Sequence, residues 1–185
     1  MDTWVWLVVV VVLLVLVGLA LAGARRRRTA RVRERFGPEY DRAVTEHGGA
    51  RAARQHLEDV AERRDAAQVR PLDPASRERY LARWQQVQAD FVDHPGEAVD
   101  DADRLVAEVM TERGYPVDEG VSRAELVAAD HPEVAEQLRA AQDARRRYHE
   151  EDGAATTEEL RRAMVHYREL VTLLVDEGHE ARHRG

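Results

Sequence analysis

His179-Glu180-Ala181-Arg182-His183 is the stretch of this chain whose residue types and spacing match a catalytic motif. In H-E-x-x-H on a helix, two imidazoles one turn apart bind zinc and the glutamate activates a water. Taken by itself it would imply a metal-dependent hydrolase. Two features weigh against that. A catalytic zinc takes three protein ligands, the third usually further along the chain, and only Arg184 and Gly185 follow. The motif also comes after Gly178, at a terminus expected to fray. The expectation is therefore a frayed tail over residues 179–185, with His179 and His183 as weak metal candidates only, no catalytic residue and no cofactor.

The other groups that could do chemistry have simpler accounts. Asp100-Asp101-Ala102-Asp103 and Glu150-Glu151-Asp152-Gly153 lack the D-x-D-x-D-G order and closing glutamate of a calcium loop, and read as solvated helix ends. Ser76 and Ser122, the two serines, fall at helix starts and not beside a base. No glycine-rich phosphate loop or dinucleotide fingerprint is present. With no cysteine there is no disulfide or thiolate metal site. The chain does not read as an enzyme.

The elements that position these residues begin with an apolar rod. Thr3 to Ala24 carry no ionisable side chain, and Arg25 to Arg28 follow at once. A helix through Trp4–Ala22 would be nearly 30 Å long at about 1.5 Å per residue, the hydrocarbon thickness of a bilayer. Fourteen of the positions Val5–Leu21 are Val or Leu, each worth roughly −0.3 to −0.6 kcal/mol on insertion. The run is far longer than the four to eight residues of a buried strand. Trp4 and Trp6 stand where an interfacial anchor belongs. Residues 1–24 are thus expected to form a single transmembrane anchor. The rival is a cleaved signal peptide, because Ala20-Leu21-Ala22 and Ala22-Gly23-Ala24 fit the small-x-small cleavage pattern. Met1-Asp2-Thr3 lacks the basic start of such a peptide. The cluster Arg25, Arg26, Arg27, Arg28, Arg31, Arg33 and Arg35 would resist translocation. The expected topology is N-terminus outside, C-terminal domain cytoplasmic, in a bacterial plasma membrane.

All twenty-eight basic residues are arginine, and Lys, Asn and Ile are absent, which points to a G+C-rich bacterial genome. Charge divides along the chain. Residues 1–35 hold seven arginines against Asp2 and Glu34, a balance of +5; the remainder holds 21 against 33 acids, −12, and the whole carries −7. An acidic body is a poor partner for nucleic acid, whose binding rests on phosphate neutralisation. The collar over residues 25–36 suits anionic headgroups, at about 1 kcal/mol per arginine near the surface, as well as serving as a topology signal.

Beyond the collar the pattern predicts an all-α chain. Gly37-Pro38 starts a helix to Glu46, His47-Gly48-Gly49 breaks it, and Ala50–Ala67 carries a thin stripe of Ala53, Leu57, Val60 and Ala61. Residues 37–69 read as a charged, weakly buried stalk. A bundle then fills residues 70–178. Asp73-Pro74 opens a helix with Tyr80, Trp84, Val87 and Phe91 on one face. A helix bearing Ala98, Ala102, Leu105, Val106, Val109 and Met110 follows His94-Pro95 and ends at Gly114 and Pro116. Ser122 and Glu125 form a capping box, as do Thr156 and Glu159. Between them Val134, Leu138, Ala141 and Tyr148 mark a further stripe. The last helix, with Leu160, Met164, Tyr167, Val171 and Leu174, either closes the bundle or pairs two chains, and two and a half heptads favour closure.

The segments Arg35–Arg42, Gln88–Asp93, Ala98–Val106, Arg113–Val117 and Glu159–Arg168 resemble an uncharacterised actinobacterial family of small N-terminally membrane-anchored helical proteins. The resemblance implies a membrane span followed by a helical domain and brings no assigned activity. The function expected is that of a single-pass membrane protein whose acidic domain is an interaction or scaffold module, binding an unidentified protein and open to homo-oligomerisation. The alternatives are an exported helical protein and a weak metal-dependent hydrolase.

Overall fold

A computed structural model describes residues 3–117, 120–150 and 155–176; along residues 3–25 it describes the whole backbone but the side chains of Trp4, Leu13, Val15–Val17, Leu19, Ala20 and Gly23 only. The described residues form eight α-helices and no strand: α1 (Thr3–Phe36), α2 (Pro38–Glu46), α3 (Ala50–Ala66), α4 (Pro74–Asp90), α5 (Pro95–Arg113), α6 (Arg123–Ala128), α7 (Pro132–His149) and α8 (Thr157–Asp176). The all-α reading therefore holds.

α1 runs from the apolar segment through the arginines without a break and enters the core at Val32 and Phe36. Trp4, Leu13, Val15, Leu16, Val17 and Leu19 along it are exposed. Among the described residues no helix is long and apolar enough to cross a membrane. The side chains of residues 5–12, which carry most of the valine run, lie outside the described residues.

The boundaries follow local chemistry. Asp73 accepts the Ser76 N–H (2.9 Å) and starts α4, with Pro74 where its missing N–H costs nothing. α5 ends in a Schellman turn: Tyr115 N–H donates to Met110 O (3.0 Å) and Gly114 N–H to Thr111 O (2.9 Å), with Gly114 at φ +87°. Asp93-His94-Pro95 and Asp130-His131-Pro132 repeat one tripeptide, and His94 and His131 take nearly the same conformation (φ −133°, ψ 66° and φ −137°, ψ 70°), so the repeat is shared boundary chemistry. Both capping boxes form, Ser122 with Glu125 and Thr156 with Glu159.

α5 is the central helix. Ala98, Val99, Ala102, Leu105, Val106, Val109 and Met110 are all fully buried, and α4, α7 and α8 pack around it. α8 lies against α7, α5 and α4, so its apolar seam closes the bundle within this chain. Buried Arg113 ties the ends together, donating to Arg70 O (3.2 Å) and to Leu174 O (3.0 Å) near the C-terminus of α8, where carbonyls lack helical partners.

Three expectations are corrected. The segment over residues 37–69 is more than a weakly buried stalk: Tyr40, Ala43 and, from the expected stripe, Ala53, Leu57 and Val60 are buried in the same core as the rest, because α2, α3 and α6 cover one another's narrow apolar stripes. Tyr148 is not core. It is 39% exposed, and its ring lies so close over Gly96 that a Cβ there would overlap it, while Ala135, Leu138, Ala141 and Ala144 form the buried stripe of α7. The acidic group Asp100–Asp103 is not a solvated helix end: Asp103 is buried and Asp100 largely so.

Candidate functional site

The foot of α1, where the arginine collar meets α2, α3 and α6, gathers the residues of interest. Arg26, Arg27, Arg28 and Arg31 are exposed, and the side chain of Arg25 lies outside the described residues. Arg33 reaches both oxygens of Asp41 (3.1 Å each) and lies over the Tyr40 ring. Arg35 turns inward. Its guanidinium donates to both Asp65 oxygens (2.9 and 2.6 Å) and, through Nε, to Ala129 O (3.0 Å). The bond to Asp65 raises the Arg35 pKa against the opposing effect of burial, and the same bond lowers that of Asp65. Arg35 thus ties α1 to α3 and α6, while Arg33 makes an exposed ion pair to α2. An open groove of about 800 Å³ runs beside them between α1 and α3, with Val32, Phe36, Ala61 and Ala66 on its floor and carboxylates along its rim.

Next to this foot, α2, α3, α6 and α7 share a polar network. Glu39, 2% exposed, accepts Nε (3.0 Å) and Nη2 (2.8 Å) of Arg139. Burial disfavours the Arg139 charge, but the Glu39 bond and charge outweigh it and raise the pKa. Arg139 also donates to Ser122 Oγ (3.1 Å). Ser122 N–H donates to Glu125 Oε2 (2.9 Å), leaving Oε1 facing His56 Nε2 at 3.0 Å. The His56 ring stacks on His47, centroids 4.1 Å apart and tilted 33°. One ligand atom each from His47, His56 and Glu125 lies within 4.8 Å of the others.

A second network sits inside the bundle. Arg123 donates to both carboxylate oxygens of Asp103 (2.9 and 2.7 Å) and to its carbonyl (2.9 Å), and Tyr167 OH donates to Oδ1 (3.0 Å). Arg145 Nε (2.6 Å) and His149 Nε2 (2.9 Å) meet Asp100. Burial would raise the Asp100 pKa, but the bonds from His149 and Arg145 win and lower it. Burial first, then the Asp103 charge, pushes the Tyr167 hydroxyl far above its ordinary range. With Asp100 and Asp103 each faced by a guanidinium, the arrangement cross-links α5, α6, α7 and α8.

His179, Glu180 and His183 lie outside the described residues. Ser76 and Ser122 both act at helix starts, as their positions suggested. The cluster of His47, His56 and Glu125 was not visible as a motif: the histidines are nine positions apart across a turn, and the carboxylate comes 69 residues after His56. No family model matches this chain, and neither a curated protein nor a solved structure does.

Proposed function

We propose that the protein is a single-pass membrane protein whose acidic helical domain serves as an interaction module on the cytoplasmic side. The observation that carries this reading is α1 itself. Its upper part holds the apolar run of residues 3–24, with Trp4, Leu13, Val15, Leu16, Val17 and Leu19 exposed among the described side chains; its middle holds exposed arginines, and Val32 and Phe36 of its last turns are buried in the domain core. An apolar helix surface of that length needs a cover, and a bilayer supplies one, with the arginines at the inner headgroups. The resemblance to small membrane-anchored actinobacterial proteins belongs to the same proposal. The charge of −12 beyond residue 35 favours a basic protein surface as partner over nucleic acid or bare anionic lipid.

Two C-terminal fusions test it, one to a reporter active only outside the membrane and one to a reporter fluorescent only inside. Fluorescence with no external activity is expected. External activity, or a mature chain beginning near Arg25 in the culture medium, would overturn the topology. A crosslinked pull-down from detergent-solubilised membranes that recovers no specific protein would overturn the interaction role.

A further inference from the structure

We infer that His47, His56 and Glu125 form a binding site for a divalent transition metal of the zinc class, at the junction of α2, α3 and α6. The inference is independent of membrane topology. Imidazoles suit zinc, cobalt, nickel and copper, whereas calcium and magnesium take oxygen ligands throughout; two imidazoles with one carboxylate and no thiolate therefore select the borderline ions. Three protein ligands with a fourth position open to water is a common zinc arrangement.

The geometry is largely in place. Bonds of about 2.0–2.2 Å in a tetrahedral site spread neighbouring ligand atoms about 3.3–3.6 Å apart, and His56 Nε2 and Glu125 Oε1, now hydrogen-bonded at 3.0 Å, need to part by only a few tenths of an ångström. His47, whose ligand atom lies within 4.8 Å of the other two, needs to approach by at most about 1.5 Å to match the same bond lengths. It is exposed, caps the end of α2 and is followed by Gly48 and Gly49, so a side-chain rotation at this turn meets little resistance.

The carboxylate is already oriented as a ligand. Glu125 is 3% exposed, and its Oε2 is held by the Ser122 N–H, which directs Oε1 at His56. Ser122 is in turn held by Arg139, and Arg139 by Glu39. Such outer hydrogen bonds fix ligand orientation in metal sites generally. The stacked pair of imidazoles also favours an ion. Their ring centroids, 4.1 Å apart, already bring both imidazoles to the same side of Glu125. Occupancy would pin the turn between α2 and α3 to α6 and leave the fourth position facing solvent through exposed His47.

The test uses the full chain in detergent, freed of metal, competing with a chromophoric chelator for Zn²⁺, with Co²⁺ absorption reporting coordination geometry. His47→Ala, His56→Ala and a tail variant carrying both His179→Ala and His183→Ala are compared with the parent. One Zn²⁺ per chain is expected in the parent and in the tail variant, with affinity at least about tenfold weaker in each of the other two. Zn²⁺ should raise the thermal midpoint of the parent but not of His47→Ala, whose exposed position spares the fold. The proposal falls if the parent fails to compete for Zn²⁺, if His47→Ala or a folded His56→Ala binds as the parent does, or if the tail variant alone loses the ion.

Discussion

Tyr167→Phe isolates the buried network that holds the bundle together. The ring is fully buried, so the substitution keeps its volume and removes one hydroxyl, which donates to Asp103 at 3.0 Å. A hydrogen bond to a charged acceptor contributes about 1.5–3 kcal/mol. Asp103 keeps both bonds from Arg123, so the carboxylate is not stranded and the loss should stay inside that range. At a urea m-value of about 2 kcal/mol/M, the midpoint at pH 7 should drop by about 1 M with the slope unchanged.

The sign of the alkaline effect separates the hydroxyl from simple packing. Tyr167 holds its proton more tightly folded than unfolded. The stabilisation is therefore complete below the unfolded value near 10 and is lost as pH rises above it, by about 1.4 kcal/mol per pH unit for each such group. Tyr80 is raised too, first by its burial and then by its bond to Glu112. Between pH 10 and 11 the parent should thus lose more stability per pH unit than Tyr167→Phe, by about one proton's worth. Urea titrations in neutral micelles across that range measure it. A variant within 0.5 kcal/mol of the parent at pH 7, on the order of ordinary surface substitutions, together with an identical alkaline slope, would refute the reasoning.

Other substitutions probe the remaining joints. Gly114→Ala forces an L side chain into φ +87° and brings its Cβ to 3.1 Å from Gln68 O, so a loss of about 1–2 kcal/mol is expected by chemical denaturation. Ser122→Ala removes the cap of α6 and the acceptor of Arg139, and should cost about 1–2 kcal/mol in the same assay. Phe36→Ala empties a fully buried position on the last turn of α1, with about 3–5 kcal/mol lost if that turn belongs to the core. Arg28→Gln should leave stability unchanged to within about 0.5 kcal/mol, since its side chain is exposed.

What could be read from the sequence was local. Gly114 before Pro116, the two capping boxes, and the spacing of Tyr80, Trp84 and Val87 each involve residues within about two helical turns, where one hydrogen bond or one face decides the outcome. The networks are not local. Glu39 and Arg139 are 100 positions apart and Asp103 and Tyr167 are 64 apart, and no short pattern announces such pairs. One signal was present and unused: Asp103 follows Val99 by four residues and precedes Val106 by three, which puts it on the buried face of α5 rather than among solvated charges. Tyr148 failed in the opposite direction. Its spacing continues the stripe of α7, yet there its ring lies over Gly96 in the first turn of α5 and stays 39% exposed. The stalk reading over residues 37–69 undervalued the burial because a stripe as thin as Ala53, Leu57, Val60 and Ala61 looks weak until α2 and α6 close over it.

The unbroken course of α1 has a mechanical consequence. A 34-residue helix measures about 50 Å, and it has no swivel between Trp4 and the place where Phe36 and Arg35 are bolted into the domain. Rotation or tilt imposed at one end therefore arrives at the other as torque on the Asp65 and Ala129 contacts. Inserting a Gly-Gly pair between Arg28 and Arg31 would uncouple the two ends while leaving both the apolar run and the bundle intact.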